Sequence, residues 1–151
     1  MSTRCQVTVI AENAPDEAIT LYHHTDGYPS YMVPCIAHAY ALYRETDSRI
    51  SPRAGIAASW LCAADPGTFE IEAGRPKHGD LAFAYEIYLG ESPRDEWEIA
   101  EIMHYRMDRQ PLSQALATTP TDEWCYETPE QVRARYASIA EQTGAEVSTD
   151  I

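Results

Sequence analysis

The chain has 151 residues, the size of one compact domain and long enough to bury a core without disulfide or metal staples. Hydrophobic residues make up 44% and charged residues 23%, a globular balance that argues against wholesale disorder. Against 11 Lys and Arg stand 24 Asp and Glu, a formal net charge of −13, which argues against docking on nucleic-acid phosphates or on an anionic membrane surface.

Arg4 to Ala11 alternates, with Cys5, Val7 and Val9 on one face and Gln6, Thr8 and Ile10 on the other, and predicts a first strand. Glu12 to Glu17 is expected to turn, and Ala18 to His24 to return as a hairpin partner. Thr25-Asp26-Gly27-Tyr28-Pro29 breaks that strand: Gly27 can take a positive φ, Asp26 can bond its own backbone, and Pro29 cannot continue a ladder. Pro34 to Glu45 then has Cys35, Ile36, Ala39, Tyr40 and Tyr43 spaced as one apolar helical stripe. A second helix is expected from Ser51 as cap and Pro52 as first helical residue to Asp65-Pro66-Gly67.

Thr68 to Glu72 reads as a short strand and Leu81 to Leu89 as the clearest one, with Leu81, Phe83, Tyr85, Ile87 and Leu89 on its apolar face. After a turn at Gly90 to Arg94, Asp95 to His104 alternates again and should pair with it as a hairpin. A short helix is expected over Pro111 to Ala117, and a capping box at Thr128-Pro129-Glu130-Gln131 opens a last helix that Gly144 closes. The expectation is therefore one α+β domain over residues 1–144, an antiparallel sheet of about five strands with three to four flanking helices, and a frayed tail over 145–151.

Cys5, Cys35, Cys62 and Cys125 are far apart and form no C-x-x-C pair, so they read as small apolar residues rather than zinc ligands, and no metal or cofactor is expected. Met1 to Gln6 is too short and polar for a signal peptide, and the longest apolar run, Gly55 to Ala64, is too short to span a bilayer. A reducing cytoplasm is the default compartment, the host's if the chain is phage-encoded. There is no G-x-S-x-G elbow, P-loop or G-x-G-x-x-G. The single H-x-T triplet, His23-His24-Thr25, lacks the second copy that a two-histidine phosphoesterase needs for its acid and base. No catalytic residue is assigned, and the chain reads as a non-enzymatic protein.

Two constellations remain. His24, Asp26 and Tyr28 sit at a strand-to-helix junction, where they could line a pocket beside a helix N-terminus and bind a small molecule or nucleotide, or even support hydrolysis. Turn chemistry alone also accounts for each of them. The second is acidic: Glu86 and Glu91, then Asp95, Glu96, Glu98 and Glu101. Glu86, Glu96 and Glu98 are expected to share an outward sheet face, where a row of like charges costs stability and hints at use, the alternative being a solvated face guarded against aggregation. Residues 64–151 hold seven basic and eighteen acidic side chains, so negative potential concentrates there.

Thr3-Arg4-Cys5-Gln6-Val7-Thr8-Val9, then His24-Thr25-Asp26-Gly27-Tyr28-Pro29, then Gly79-Asp80-Leu81-Ala82-Phe83-Ala84-Tyr85 carry a likeness. Together they resemble a family of small proteins common in bacteriophages and mobile elements, with an opening T-R-S/C strand, an H-x-D-G-Y-P motif and a later G-D-x-x-Y-x-Y strand. Thr25 departs from that pattern, an aromatic being common there. The resemblance covers about the first ninety residues and implies a genomic setting rather than a mechanism. With the acidic surplus, it points to a protein that binds a basic protein surface, such as the nucleic-acid groove of a defence effector, in the manner of an anti-CRISPR inhibitor.

Overall fold

The computed structural model describes residues 3–46, 53–72, 79–119 and 134. Strand β1 (Arg4–Ala11) forms an antiparallel hairpin with β2 (Ala14–His23), in the register Cys5↔His23, Val7↔Leu21 and Val9↔Ile19. The second strand begins four residues earlier than its composition suggested, because Glu12 and Asn13 alone complete the turn and Ala11 already pairs with Ala14. Pro15 is tolerated where β2 has only β1 beside it, since β3 (Phe69–Ile71) reaches only Leu21 to His23.

Helix α1 (Pro29–Thr46) starts at Pro29, not at Pro34. Proline at the first helical position sacrifices no hydrogen bond, and the Tyr28 carbonyl accepts from the Tyr31 and Met32 N–H groups to open the helix. Pro34 is instead inside the helix, where it cannot donate to the carbonyl four residues back. Burial also extends beyond the single expected stripe: Met32, Val33, Ala37 and Ala41 are buried as well as Ile36, Tyr40 and Tyr43, so α1 is a central element. Helix α2 (Ala54–Ala64) packs against α1 and over β1, β2 and β3, and stops at Asp65 and the left-handed Gly67 (φ 82°). The expected Ser51 cap and Pro52 lie outside the described residues, as do Cys125 and, apart from the helical Ala134, the helix expected after Thr128.

The remaining elements are β4 (Leu81–Leu89), β5 (Glu98–Glu101), β6 (Met107–Pro111) and α3 (Leu112–Thr118). Among the described residues the sheet has six strands in the order β3-β2-β1-β4-β5-β6. It is mixed rather than purely antiparallel, because β4 pairs parallel to β1, with Val7↔Tyr85 and Val9↔Ile87. The hairpin partner β2 occupies one edge of β1, and a chain that crosses over through α1 and α2 returns to the other edge in the same direction. The single long strand expected over Asp95 to His104 is a short β5 followed by a reversal at 102–106 into β6.

One face of the sheet carries Cys5, Val7, Val9, Leu21, Tyr85, Ile87, Leu89 and Ile99, all buried in one cluster with residues of the three helices. Trp97 joins this cluster against Tyr40 and Tyr43, at ring separations of 5.1 and 5.8 Å. Gln6, Thr8, Thr20, Tyr22, Glu86, Tyr88, Glu98 and Ala100 alternate onto the opposite face.

Candidate binding site

The turn after β2 is fixed from both sides. Gly27 donates its N–H to the Thr3 carbonyl (2.7 Å), and its own carbonyl accepts from the buried Tyr85 hydroxyl (2.8 Å). The left-handed residue is Asp26 (φ 53°), not Gly27. Aspartate tolerates that region, and the glycine is needed instead for close approach to β1. Tyr28 donates its hydroxyl to Asp26 Oδ1 (3.1 Å). His24 does not join them: it is exposed, its Nε2 is 3.3 Å from Glu70, and its ring meets Tyr22 edge-on at 4.7 Å. The structure thus unites Asp26 with Tyr28 and sets His24 on the other side of the strand end.

The neighbouring His23 was assigned no role from sequence, and it is the buried one, with no exposed surface. Its Nε2 lies 2.7 Å from Asp65 Oδ2, which also accepts the Tyr31 hydroxyl (3.1 Å), while Asp65 Oδ1 accepts from Thr68 Oγ1 (3.3 Å). A carboxylate can only accept, so the Nε2–H tautomer is the one that fits, and Nδ1 is left buried with no partner among the described residues. Burial and the nearby Asp65 carboxylate push the Tyr31 hydroxyl far above its usual range. The signal for His23 was the adjacency itself, since two successive strand residues face opposite sides and one of the pair must enter the core. With His23 sealed from solvent, the network ties the end of β2 to the start of α1 and the end of α2.

The acidic candidates divide. Glu86 and Glu98 share the face opposite the core, Glu86 accepting the Tyr88 hydroxyl (2.5 Å) and Glu98 bound by Arg109 at 2.7–2.8 Å. Arg109 also pairs with Glu12 and stacks over the Tyr88 ring at 4.0 Å. Burial, with the Glu86 hydrogen bond and the Glu98 charge, pushes the Tyr88 hydroxyl up to about 12. Glu96 precedes β5 and accepts from the Ser113 backbone N–H (2.7 Å) and hydroxyl (3.1 Å), satisfying the start of α3. Asp95 accepts from the Ser92 N–H (3.0 Å) and closes the 90–95 turn, with Glu91 exposed beside it.

Glu101 does not belong to that surface. It faces Tyr85 across the β4–β5 ladder on the core side and is 1% exposed, because the parity of β5 sends it opposite to Glu98. Its carboxylate accepts the Met103 and His104 backbone N–H groups, the latter at 2.9 Å, which meets the demand of a buried charge for hydrogen bonds.

What the acidic end forms is a cleft of about 350 Å³ lined by Glu12, Gly90, Asp95, Glu96, Glu98 and Pro111. It sits where the β1–β2 turn, the 90–95 turn and the end of β6 meet. Four of its six lining residues are carboxylates, and each takes a hydrogen bond or ion pair that orders it. A carboxylate has about four acceptor directions, so capacity remains for an incoming cation.

No protein-family model, curated protein or solved structure matches the chain. Among the described residues no group of three or more His, Cys, Asp or Glu side chains is placed to hold a metal ion. No described helix is long and apolar enough to cross a membrane.

Proposed function

We propose that the chain is a non-enzymatic binding protein whose acidic end docks on a basic protein surface. The observation that carries this reading is the open cleft bordered by Glu12, Asp95, Glu96 and Glu98, with the exposed Glu91 in the adjoining turn. Arginines on a partner meet carboxylates whose positions are already set by Ser92, Ser113 and Arg109, so little side-chain entropy is lost on docking. The −13 net charge adds long-range steering toward a cationic surface and repels nucleic acid.

A nucleic-acid groove on a protein is a surface with that chemistry, since its arginines and lysines are spaced to hold phosphates. In the mobile-element setting that the resemblance implies, the partner is a nucleic-acid-dependent host defence effector and the chain is its inhibitor. The test is an interference assay in cells carrying an RNA-guided nuclease and a targeted phage. Expression of the chain should restore plaque formation, and Glu91→Lys combined with Glu98→Lys should abolish the rescue while the folded protein persists. Rescue by the double variant equal to that by the parent chain would overturn the acidic-end reading.

A further inference from the structure

At the end of the β5–β6 hairpin remote from the cleft, the chain makes a turn whose exposed character differs from the rest of the molecule. Of the three large hydrophobic side chains that are exposed among the described residues, two are on this turn, Met103 at 38% and Tyr105 at 80%. Arg106 is exposed beside them, lies over the Phe83 ring at 5.4 Å, and makes no ion pair among the described residues. A cationic, aromatic tip on a chain of net charge −13 stands against the general composition.

The tip is also held rigid. Tyr105 is left-handed (φ 52°), a conformation that costs a bulky residue about 1 kcal/mol or more and persists only where neighbours enforce it. Here the enforcing groups are Glu101, which accepts the Met103 and His104 N–H groups, and His104, whose Nε2–H donates to the Ala82 carbonyl (2.7 Å). With these pins in place the turn backbone holds Tyr105 outward, and Arg106 beside it rests on the Phe83 ring. Tyrosine and arginine on a pre-ordered turn are the residue types that carry most of the energy of protein contacts.

We propose that this tip inserts into the acidic cleft of a second copy of the same chain. The two surfaces match in chemistry: an aromatic ring against Pro111 and Gly90, and a guanidinium against Glu96 and Glu98. They also lie at opposite ends of one hairpin, with Glu98 and Pro111 paired at the cleft end and Glu101 and Met107 paired at the tip end. The intervening strand, about 10 Å of rigid ladder, keeps any chain from filling its own cleft with its own tip. The contact is therefore between copies and head-to-tail, so each added copy leaves one free tip and one free cleft. It uses the cleft assigned above to a foreign basic surface without depending on such a partner, and the two occupants compete for the same carboxylates. The repulsion between two −13 chains limits the strength, so the association is weak and concentration-dependent.

Sedimentation velocity over a concentration series of the full chain tests this. The parent chain should climb in weight-average mass past the dimer without a plateau. A tip variant, Tyr105→Ala with Arg106→Glu, and a cleft variant, Glu12→Lys, should each weaken self-association by about tenfold or more, as loss of a central anchor does. Thermal melts of both variants check that the fold survives. Mixing the two variants should restore one intact tip facing one intact cleft and give a heterodimer that grows no further. A parent chain that stays monomeric throughout, a variant that self-associates as strongly as the parent, or a mixture no more associated than either variant alone would each overturn the head-to-tail contact. The interference assay is read separately, so its failure is distinct from failure here.

Discussion

Gly27 and Cys5 approach so closely that a β-carbon added to the glycine would lie 2.6 Å from the Cys5 β-carbon and 3.0 Å from the Arg4 carbonyl carbon. The contact brings the turn after β2 against β1, and the Tyr85 hydroxyl holds it there from β4. Since Gly27 is not left-handed, the constraint is steric rather than torsional. Gly27→Ala should therefore destabilise the protein by about 1–3 kcal/mol, the usual cost of overpacking. A denaturant midpoint unchanged from the parent would show that β1 yields more easily than its burial implies.

Asp65 receives donors from His23, Tyr31 and Thr68, so its removal strands several polar groups at once. Asp65→Ala leaves the His23 Nε2–H buried without an acceptor and should cost about 2–4 kcal/mol, whereas Tyr31→Phe removes one donor and should cost about 1 kcal/mol. The two losses should not add, because both act on one carboxylate oxygen. A double-mutant cycle by chemical denaturation reads the coupling, and full additivity would mean the network is three independent contacts.

How far all this was legible beforehand depends on the kind of information each element carries. Alternation placed β1 and β4 and put Val7, Tyr85 and Ile87 on the core face, because side-chain parity is local. Parity carries no strand direction, so nothing local marked β4 as parallel to β1. Two prolines five residues apart compete to start one helix, and Tyr28 as the first acceptor decided for Pro29. In the same way, His23 and His24 could be told apart only by the face on which Asp65 arrived, forty-two residues later. The acidic residues were legible as a group and illegible singly: that Glu96 serves α3 while Glu101 serves a turn depends on where each strand ends.

The tyrosines give the protein an alkaline limit. Burial raises the hydroxyls of Tyr31, Tyr40 and Tyr85 well above the ordinary value of 10.0, and Tyr88 goes to about 12. A group whose pKa is higher in the folded state keeps its full contribution below the unfolded value, then loses it as pH rises toward the folded value, because the unfolded chain releases its proton first. Stability should therefore be insensitive to these groups below about pH 10 and fall steeply between about 10 and 12. Denaturant midpoints measured across that interval, with phenolate absorbance followed in parallel, should show the buried phenols ionising together with unfolding. Ionisation of all ten tyrosines as ordinary phenols in the folded chain would contradict the burial.

Glu101 offers the sharpest separation between stability and local order. Its carboxylate is on the core side of the sheet, and its visible work is to accept two backbone N–H groups at Met103 and His104. Glu101→Ala strands those donors beneath the turn and should cost about 2–3 kcal/mol, while Glu101→Gln keeps one acceptor oxygen and should cost less. The damage should be uneven in space. Amide exchange at Met103 and His104 should accelerate far more than at Val7 or Ile87, because those central amides open only with the whole sheet. If exchange rose equally at all four, Glu101 would be a general prop of the core, and the fixed direction of Tyr105 would need another cause.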